Sequence, residues 1–321
     1  VDTPVSCESL EAEDIAALIF TGGTTGFIKA AQVSHRMIGW NTLNTVIHDV
    51  THHDIYLNVF PMFHTGGLFV YTLPQVIFGG TTILIRQFDP VQVLSLIERE
   101  RVTVFAGVPT MYQMLTQAAN WAQADLSSLR FCTSGGASLP VPLVEQYTRE
   151  KHIRFKQGFG MTEFGPGIFA LAPEDAIRKA GSIGRPNFFV DARVVDDQGR
   201  FLAPDEEGEL VLKGPSYCSG YFGEPEASAA VVDALGFFHL GLPALLDREE
   251  ATGCGLIDVG AVVAEIVDHL ENGEGFDRGL IILPVGLEGE FGVPVEHRLL
   301  HALNCTMGTL VPRAGLESDE G

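Results

Sequence analysis

The chain has 321 residues, 46% of them hydrophobic and 19% charged, with a formal net charge of −21. This composition supports a buried core and excludes a disordered chain; the length sets a prior of about two domains. The acidity argues against a nucleic-acid partner, because backbone phosphates are bound by clustered Lys and Arg. A nucleotide site stays open, since it needs only local N–H donors and a nearby cation. Cys7, Cys132, Cys218, Cys254 and Cys305 show no metal-type spacing. They are expected to be buried or incidental thiols in a reducing compartment, so a cytoplasmic location is expected. Residues 1–14 are acidic and lack an apolar core, so no signal peptide is expected. With no initiator Met, the chain is expected to start within a longer protein. The apolar stretch 68–85 is interrupted by Pro74, Gly79, Gly80, Thr81 and Thr82, which argues against a membrane span.

In chain order, the apolar run 15–20 predicts a strand and 35–50 a helix entered after Ser34. A short buried strand is expected from Ile55 to Phe60, ending at Pro61, then one helix near 67–78 and a strand at 82–85. Asp89-Pro90 is a helix start, with Asp capping free N–H groups and Pro suited to the first helical position. That helix is expected to reach Arg101. Strands then follow at 102–105, 129–133 and 153–157, separated by helices from Pro109 to Ala119 and from Pro140 to Lys151. This alternation predicts an α/β fold with a mainly parallel sheet. From about residue 188, two β-rich segments (190–195 and 209–213) flank the turn Asp196-Asp197-Gln198-Gly199, which predicts a smaller antiparallel unit. The expected organisation is a core at 1–187, a β-rich subdomain at 188–240, and a tail at 241–321 that joins no pattern. No repeat of fixed period is visible.

The stretch Thr21-Gly22-Gly23-Thr24-Thr25-Gly26-Phe27-Ile28-Lys29 follows the first strand directly. Glycine lets backbone N–H groups approach a ligand, threonine adds hydroxyl donors, and lysine adds a charge suited to phosphate. The stretch therefore fits a polyphosphate cradle, though not a Walker A loop, which needs adjacent Gly-Lys. A plain glycine-rich surface turn also fits. Gln157-Gly158-Phe159-Gly160-Met161-Thr162-Glu163 again follows a strand. There an aromatic can lie against a planar base, Thr162 can donate to an oxyanion, and Glu163 can hold Mg²⁺. A strand-to-helix turn with a solvated Glu163 fits equally. Ser134-Gly135-Gly136-Ala137-Ser138-Leu139-Pro140 allows either close approach of a flat ligand or a tight helix entry. His64 can line a pocket or serve a structural role. His48, His52, His53 and Asp54 resemble metal ligands in composition, but their crowding fits a solvated loop better.

Taken together and in order, these pieces resemble the adenylate-forming superfamily: acyl-CoA synthetases, firefly-type luciferases and peptide-synthetase adenylation domains. The matching segments are 21–29 with Val33-Ser34-His35, 61–67, 134–139, 158–163, Gly181-Ser182-Ile183-Gly184-Arg185-Pro186, and Gly208-Glu209-Leu210 with Gly214 and Gly220-Tyr221. Within the superfamily the chain looks most similar to fatty-acid and aryl acyl-CoA ligases. The resemblance implies layered parallel-sheet subdomains of an acyl-CoA synthetase N-terminal domain with a smaller β-rich subdomain. It also implies a reaction in which a carboxylate attacks the α-phosphate of ATP and the thiol of coenzyme A then displaces AMP. Partners would be a small carboxylic acid, ATP, Mg²⁺ and coenzyme A. By the same resemblance, Thr21, Gly22, Gly23, Thr24, Thr25, Gly26 and Lys29 would embrace the outer phosphates. Phe159, within Gly158-Phe159-Gly160-Met161, would stack on adenine opposite Gly135, Gly136 and Ala137. Thr162 would contact the α-phosphate, Glu163 would hold Mg²⁺, and His64 would sit near the acyl carboxylate.

The chain departs from the family pattern in places. Gly22 replaces a serine, and Ile28-Lys29-Ala30 replaces Pro-Lys-Gly. Leu240-Gly241-Leu242 replaces Thr-Gly-Asp, so Leu242 cannot accept the ribose hydrogen bonds expected of that Asp. The family's small C-terminal domain with its catalytic Lys is not recognisable, and no lysine follows Lys213. A missing N-terminal segment and a truncated or frame-shifted tail are therefore expected. A non-catalytic ATP- or adenylate-binding remnant of the family is the alternative expectation.

Overall fold

The structure is a computed structural model that describes residues 10–22, 28–46 and 49–245. The tail after 245, and Gly23, Thr24, Thr25, Gly26 and Phe27 of the Thr21–Lys29 stretch, lie outside the described residues. The chain opens with β1 (Ile15–Gly22) and β2 (Ile28–Ser34), paired antiparallel with Thr21 opposite Lys29. These two strands flank the glycine- and threonine-rich stretch, and β2 is a strand the sequence reading did not foresee. Its inward positions, Ala31 and Val33, are fully buried. The outer side leaves Phe20 72% and Ile28 75% exposed.

Helix α1 (His35–Val46) leads to β3 (Ile55–Asn58). Two short helices follow, α2 (Thr65–Phe69) and α3 (Thr72–Phe78), where a single helix was expected. Pro74 has no N–H to give Val70 and can sit only in a first helical turn, so the chain must restart. The hydroxyl of Thr72 instead donates to the Gly67 carbonyl at 2.6 Å. Then come β4 (Thr81–Leu84), α4 (Pro90–Arg99), β5 (Val104–Gly107), α5 (Pro109–Thr116), β6 (Phe131–Gly135) and α6 (Val141–Lys151). Asp89 caps α4 as expected, its carboxylate accepting from the Gln92 amide at 2.7 Å.

β7 (Phe155–Met161) runs four residues beyond the expected strand end at Gln157. It is followed by β8 (Gly165–Leu171), β9 (Arg185–Pro186), β10 (Asp191–Val195), β11 (Gly208–Lys213), α7 (Pro225–Ala230) and β12 (Phe238–Ala244). The main sheet has the order β4-β3-β5-β6-β7-β8-β9, parallel from β4 to β7 and antiparallel thereafter. β8 replaces the helix that the alternation would place after β7. The turn Thr162–Phe164 is therefore a strand-to-strand reversal, and Glu163 is buried rather than solvated.

Helices α4, α5 and α6 cover one face of the sheet. Leu94, Ile97, Tyr112, Leu143 and Tyr147 pack there on Leu57, Phe105, Cys132 and Phe155. On the opposite face, Tyr71 packs with Tyr56, Val104 and Phe131. The predicted antiparallel unit is present as β10-β11-β12. It shares a core with the main sheet, because Phe164, Ile168 and Phe169 pack with Ala192, Leu210, Leu212 and Phe238. Among the described residues, no helix is long and apolar enough to cross a membrane.

The His52–Asp54 segment is not a solvated loop throughout. Asp54 is 1% exposed, takes both oxygens to Arg130 Nη1 at 2.7 and 2.8 Å, and accepts from the Thr103 hydroxyl. Burial raises its pKa, but bonds from Thr103, Arg130 and Thr51 outweigh burial and leave it below the usual 3.8. A depressed carboxylate pKa contributes stability that is full above the unfolded value and lost as pH falls through the folded one. Asp54→Asn should therefore cost about 3 kcal/mol at pH 7, at the low end for a broken buried pair because Arg130 can turn to water. In urea unfolding, the gap between wild type and D54N should shrink as pH falls below 3.8.

Candidate functional site

Parallel strands carry their ligand-facing loops at the carboxyl ends, and β6 and β7 are adjacent in the ladder. The register places Gly135 directly opposite Gly158. A Cβ on Gly135 would sit 3.2 Å from the Gly158 carbonyl, and Gly136 has φ +78°, which only glycine adopts without strain. The two glycine-rich segments at 134–140 and 157–163 thus meet. Gly160 has a different constraint: a Cβ there would lie 2.3 Å from Pro166 Cα, so β8 can cross only over a glycine. Phe159 is half-buried, its ring edge-on to Phe169 at 5.9 Å between centroids.

The turn after β7 carries Thr162 and Glu163, 9% and 5% exposed. The Tyr221 hydroxyl donates to Glu163 Oε1 at 3.1 Å, and the Cys218 amide donates to the Glu163 carbonyl at 2.7 Å. Burial, and then the Glu163 charge, push the Tyr221 phenol well above its ordinary pKa, so it stays protonated and donates. Lys29, on β2, holds its ammonium 4.9 Å from the centre of the same Tyr221 ring. The hairpin and the β7 turn, far apart in sequence, are joined by one side chain.

That side chain sits on a firmly held strap. Ser219 and Phe222 donate to the carbonyls of Gln32 and Ala30, and Gln32 donates back to Gly220, all at 2.8–2.9 Å. Arg36, on α1, donates to the carbonyls of Pro215 and Tyr217, the latter at 3.0 Å.

A pocket opens on the sheet face opposite α4–α6, between Thr45 of α1, Val70 and Tyr71, the strand residues Thr133, Lys156 and Gly158, and Pro166 and Gly167 of β8. Most of its polar groups are engaged within the protein. Tyr71 and Thr133 share a hydroxyl–hydroxyl bond of 2.6 Å, and Asn187 donates to the Gly167 carbonyl at 3.0 Å. Burial pushes the Tyr71 phenol up to about 12. Lys156 holds its ammonium 3.9 Å from the Phe131 ring, and burial lowers its pKa.

His64 is exposed, does not line this pocket, and caps α2, its Nδ1 accepting from Gly66 N at 3.0 Å. His52 and His53 lie ring against ring at 3.7 Å. Among the described residues, no group of three or more His, Cys, Asp or Glu side chains is arranged to hold a metal ion. A cation held by Glu163 would take its other ligands from phosphate and water, the usual habit of Mg²⁺. Leu242 lies on β12 and is 40% exposed.

Three contributors escaped the sequence reading. Tyr221 was visible only as half of a Gly-Tyr pair. Gln157 accepts from the Leu139 amide at 3.1 Å and so fixes the loop after β6. Asn41, buried in α1, donates to the Phe69 carbonyl at 2.7 Å and accepts from Gly167 N at 3.2 Å, tying the helical wall of the pocket to β8. The available signal was the cluster of polar residues Asn41, Thr42, Asn44 and Thr45 in α1, all of them buried.

Residues 2–222 match the family described as "AMP-binding enzyme". The chain is 42% identical over 238 residues to a feruloyl-CoA synthase of Amycolatopsis sp, covering 74% of this chain and 48% of that protein. It is 36% identical over 225 residues to an indoleacetate–CoA ligase of Aromatoleum aromaticum, covering 70% and 44%. Among solved structures, the inhibitor-bound N-terminal domain of FACL13 from Mycobacterium tuberculosis aligns with a TM-score of 0.72 at 32% identity, covering 78% of this chain and 61% of that one. ATP-bound MatB from Rhodopseudomonas palustris aligns at 0.68 and 30%, covering 74% and 47%. The α/β core and its glycine-lined crevice are those of an adenylate-forming N-terminal domain. The chain belongs to the AMP-binding enzyme family. It spans about half the length of the curated relatives it matches.

Gln157→Leu should test the brace at the crevice. Gln157 Nε2 has no partner, so the loss falls on the buried Leu139 N–H. An unsatisfied buried donor costs about 1–3 kcal/mol. Urea unfolding should show that loss, and calorimetry should show weaker nucleotide binding.

Proposed function

We propose that the chain is the nucleotide- and acyl-binding core of an ATP-dependent acid–CoA ligase of the AMP-forming type. The observation that carries this reading is the meeting of three segments at one crevice. The β6–α6 loop and the β7 turn are neighbours, and Tyr221 joins Glu163 of that turn to Lys29 of the hairpin.

In this reading the base of ATP lies between Phe159 and the backbone of Gly135, Gly136 and Ala137. Phosphoryl and adenylyl transfer need little covalent help from protein; they need positioning and stabilisation of charge on phosphate oxygens. The Thr21–Lys29 hairpin would supply N–H donors, hydroxyls and one ammonium to the departing pyrophosphate. Thr162 would donate to the α-phosphate as the carboxylate attacks. Glu163 would hold Mg²⁺, which when bound neutralises phosphate charge. The acyl chain would extend along the sheet face into the pocket beside Tyr71, Gly158 and Gly167. Coenzyme A would then displace AMP, giving the thioester. His64, which does not line that pocket, would serve as the cap of α2.

The relatives act on feruloyl, indoleacetate and long-chain fatty acyl groups, by their names, and the pocket's polar groups are largely satisfied internally. An aromatic or fatty carboxylic acid is therefore the proposed substrate. AMP release across a panel of hydroxycinnamic, indoleacetic and fatty acids will rank them.

A second reading is a nucleotide-binding remnant without turnover. Leu242 stands where the ribose-binding Asp is expected. Pyrophosphate exchange decides between the two. Lys29→Ala and Glu163→Ala should each slow exchange by about 100-fold or more, the scale for removing a group that stabilises transition-state charge. Unchanged exchange in both variants removes the site assignment. Nucleotide binding by calorimetry with no exchange in the wild type selects the remnant.

A further inference from the structure

Lys29 and Glu163 carry opposite charges into the same crevice, yet no ion pair joins them among the described residues. Tyr221 stands between them. Its ring face receives the ammonium, through attraction to the negative face of the ring's quadrupole, and its hydroxyl donates to one carboxylate oxygen. A direct Lys–Glu contact would satisfy each charge with the other. With the phenol between them, the lysine stays presentable to phosphate and Glu163 Oε2 stays presentable to a cation.

We propose that Tyr221 is a positioning residue that keeps Lys29 and Glu163 apart and orients the Glu163 carboxylate toward a divalent cation. The proposal rests on the ligase reading above. The tyrosine is well placed for the role because its backbone is fixed on both sides. Residues 219–222 pair with β2, Ser228 Oγ accepts from the Tyr221 amide at 2.8 Å, and the Cys218 amide holds the Glu163 carbonyl. Donor and acceptor are therefore referenced to the same strap. Groups that orient a metal-binding carboxylate through hydrogen bonds commonly alter metal affinity by about 10–100-fold when removed.

The test uses Mn²⁺ in place of Mg²⁺, titrated into the full chain with ATP and read by electron paramagnetic resonance, alongside calorimetry of ATP without metal. Tyr221→Phe keeps the ring and removes the hydroxyl. It should weaken Mn²⁺ binding by about tenfold while leaving metal-free ATP affinity unchanged. Tyr221→Leu removes both contacts and should weaken metal-free ATP binding as well, through Lys29. In the Glu163→Gln background, Y221F should have no further effect on Mn²⁺, since coupled residues are non-additive.

If wild type binds Mn²⁺ with ATP, E163Q loses it and Y221F does not change it, the positioning role is overturned while the ligase reading stands. If wild type binds neither ATP nor Mn²⁺ with ATP, the ligase reading falls and the proposal with it. Loss of a cooperative thermal transition in Y221F would show the hydroxyl to be structural, and would equally overturn the positioning role.

Discussion

The pairing of residues 219–222 with β2 is the constraint on which the site depends. β1 and β2 form a two-stranded sheet of their own, outside the seven-stranded ladder that builds the core. An isolated hairpin of this kind is marginal in water. The strap adds a second run of backbone hydrogen bonds beside β2, and Arg36 clamps its start to α1. Through the Cys218 amide the same strap reaches the turn after β7. The β1–β2 pair is therefore located relative to the parallel sheet by a segment nearly two hundred residues away in sequence.

The sheet itself explains why the other half of the site is rigid. Gly135 and Gly158 face each other across neighbouring parallel strands, with aromatic packing from Tyr112, Tyr147 and Phe155 on the helix-covered face beneath. Gln157 ties the loop after β6 to β7. A flat ligand at this position meets mostly backbone, which cannot change rotamer.

Much of the α/β core was legible because its signals are local. Asp89-Pro90 announces α4, and apolar runs bounded by turn residues mark β3, β5 and β6. Two features were not legible. β2, with the sequence Ile28-Lys29-Ala30-Ala31-Gln32-Val33-Ser34, has alanines where a strand usually shows bulk, because Ala31 sits at zero exposure under the strap. β8 was missed because the alternating pattern favours a helix after β7, whereas Gly160 and Gly165 permit a tight reversal that only the tertiary contact with Pro166 and Asn41 explains. The glycine-rich motifs could be recognised in sequence, but the joint between them could not. Tyr221 acts through a hydrogen bond and a ring face brought together by long-range pairing, and no spacing rule records either.

The pocket has two walls of different chemical character. One is backbone and small residues, Gly158, Pro166 and Gly167, pinned by Asn187 and Asn41. The other is side chain: Thr45, Val70 and Tyr71, borne on helices and their junction. Tyr71 is tied to the sheet through Thr133, whereas Thr45 and Val70 are the second-wall side chains whose exchange would reshape a pocket proposed to take an acyl group. Under the proposed ligase reading, new acids could be accommodated by exchanging a few helical side chains while Gly158, Thr162 and Glu163 are retained.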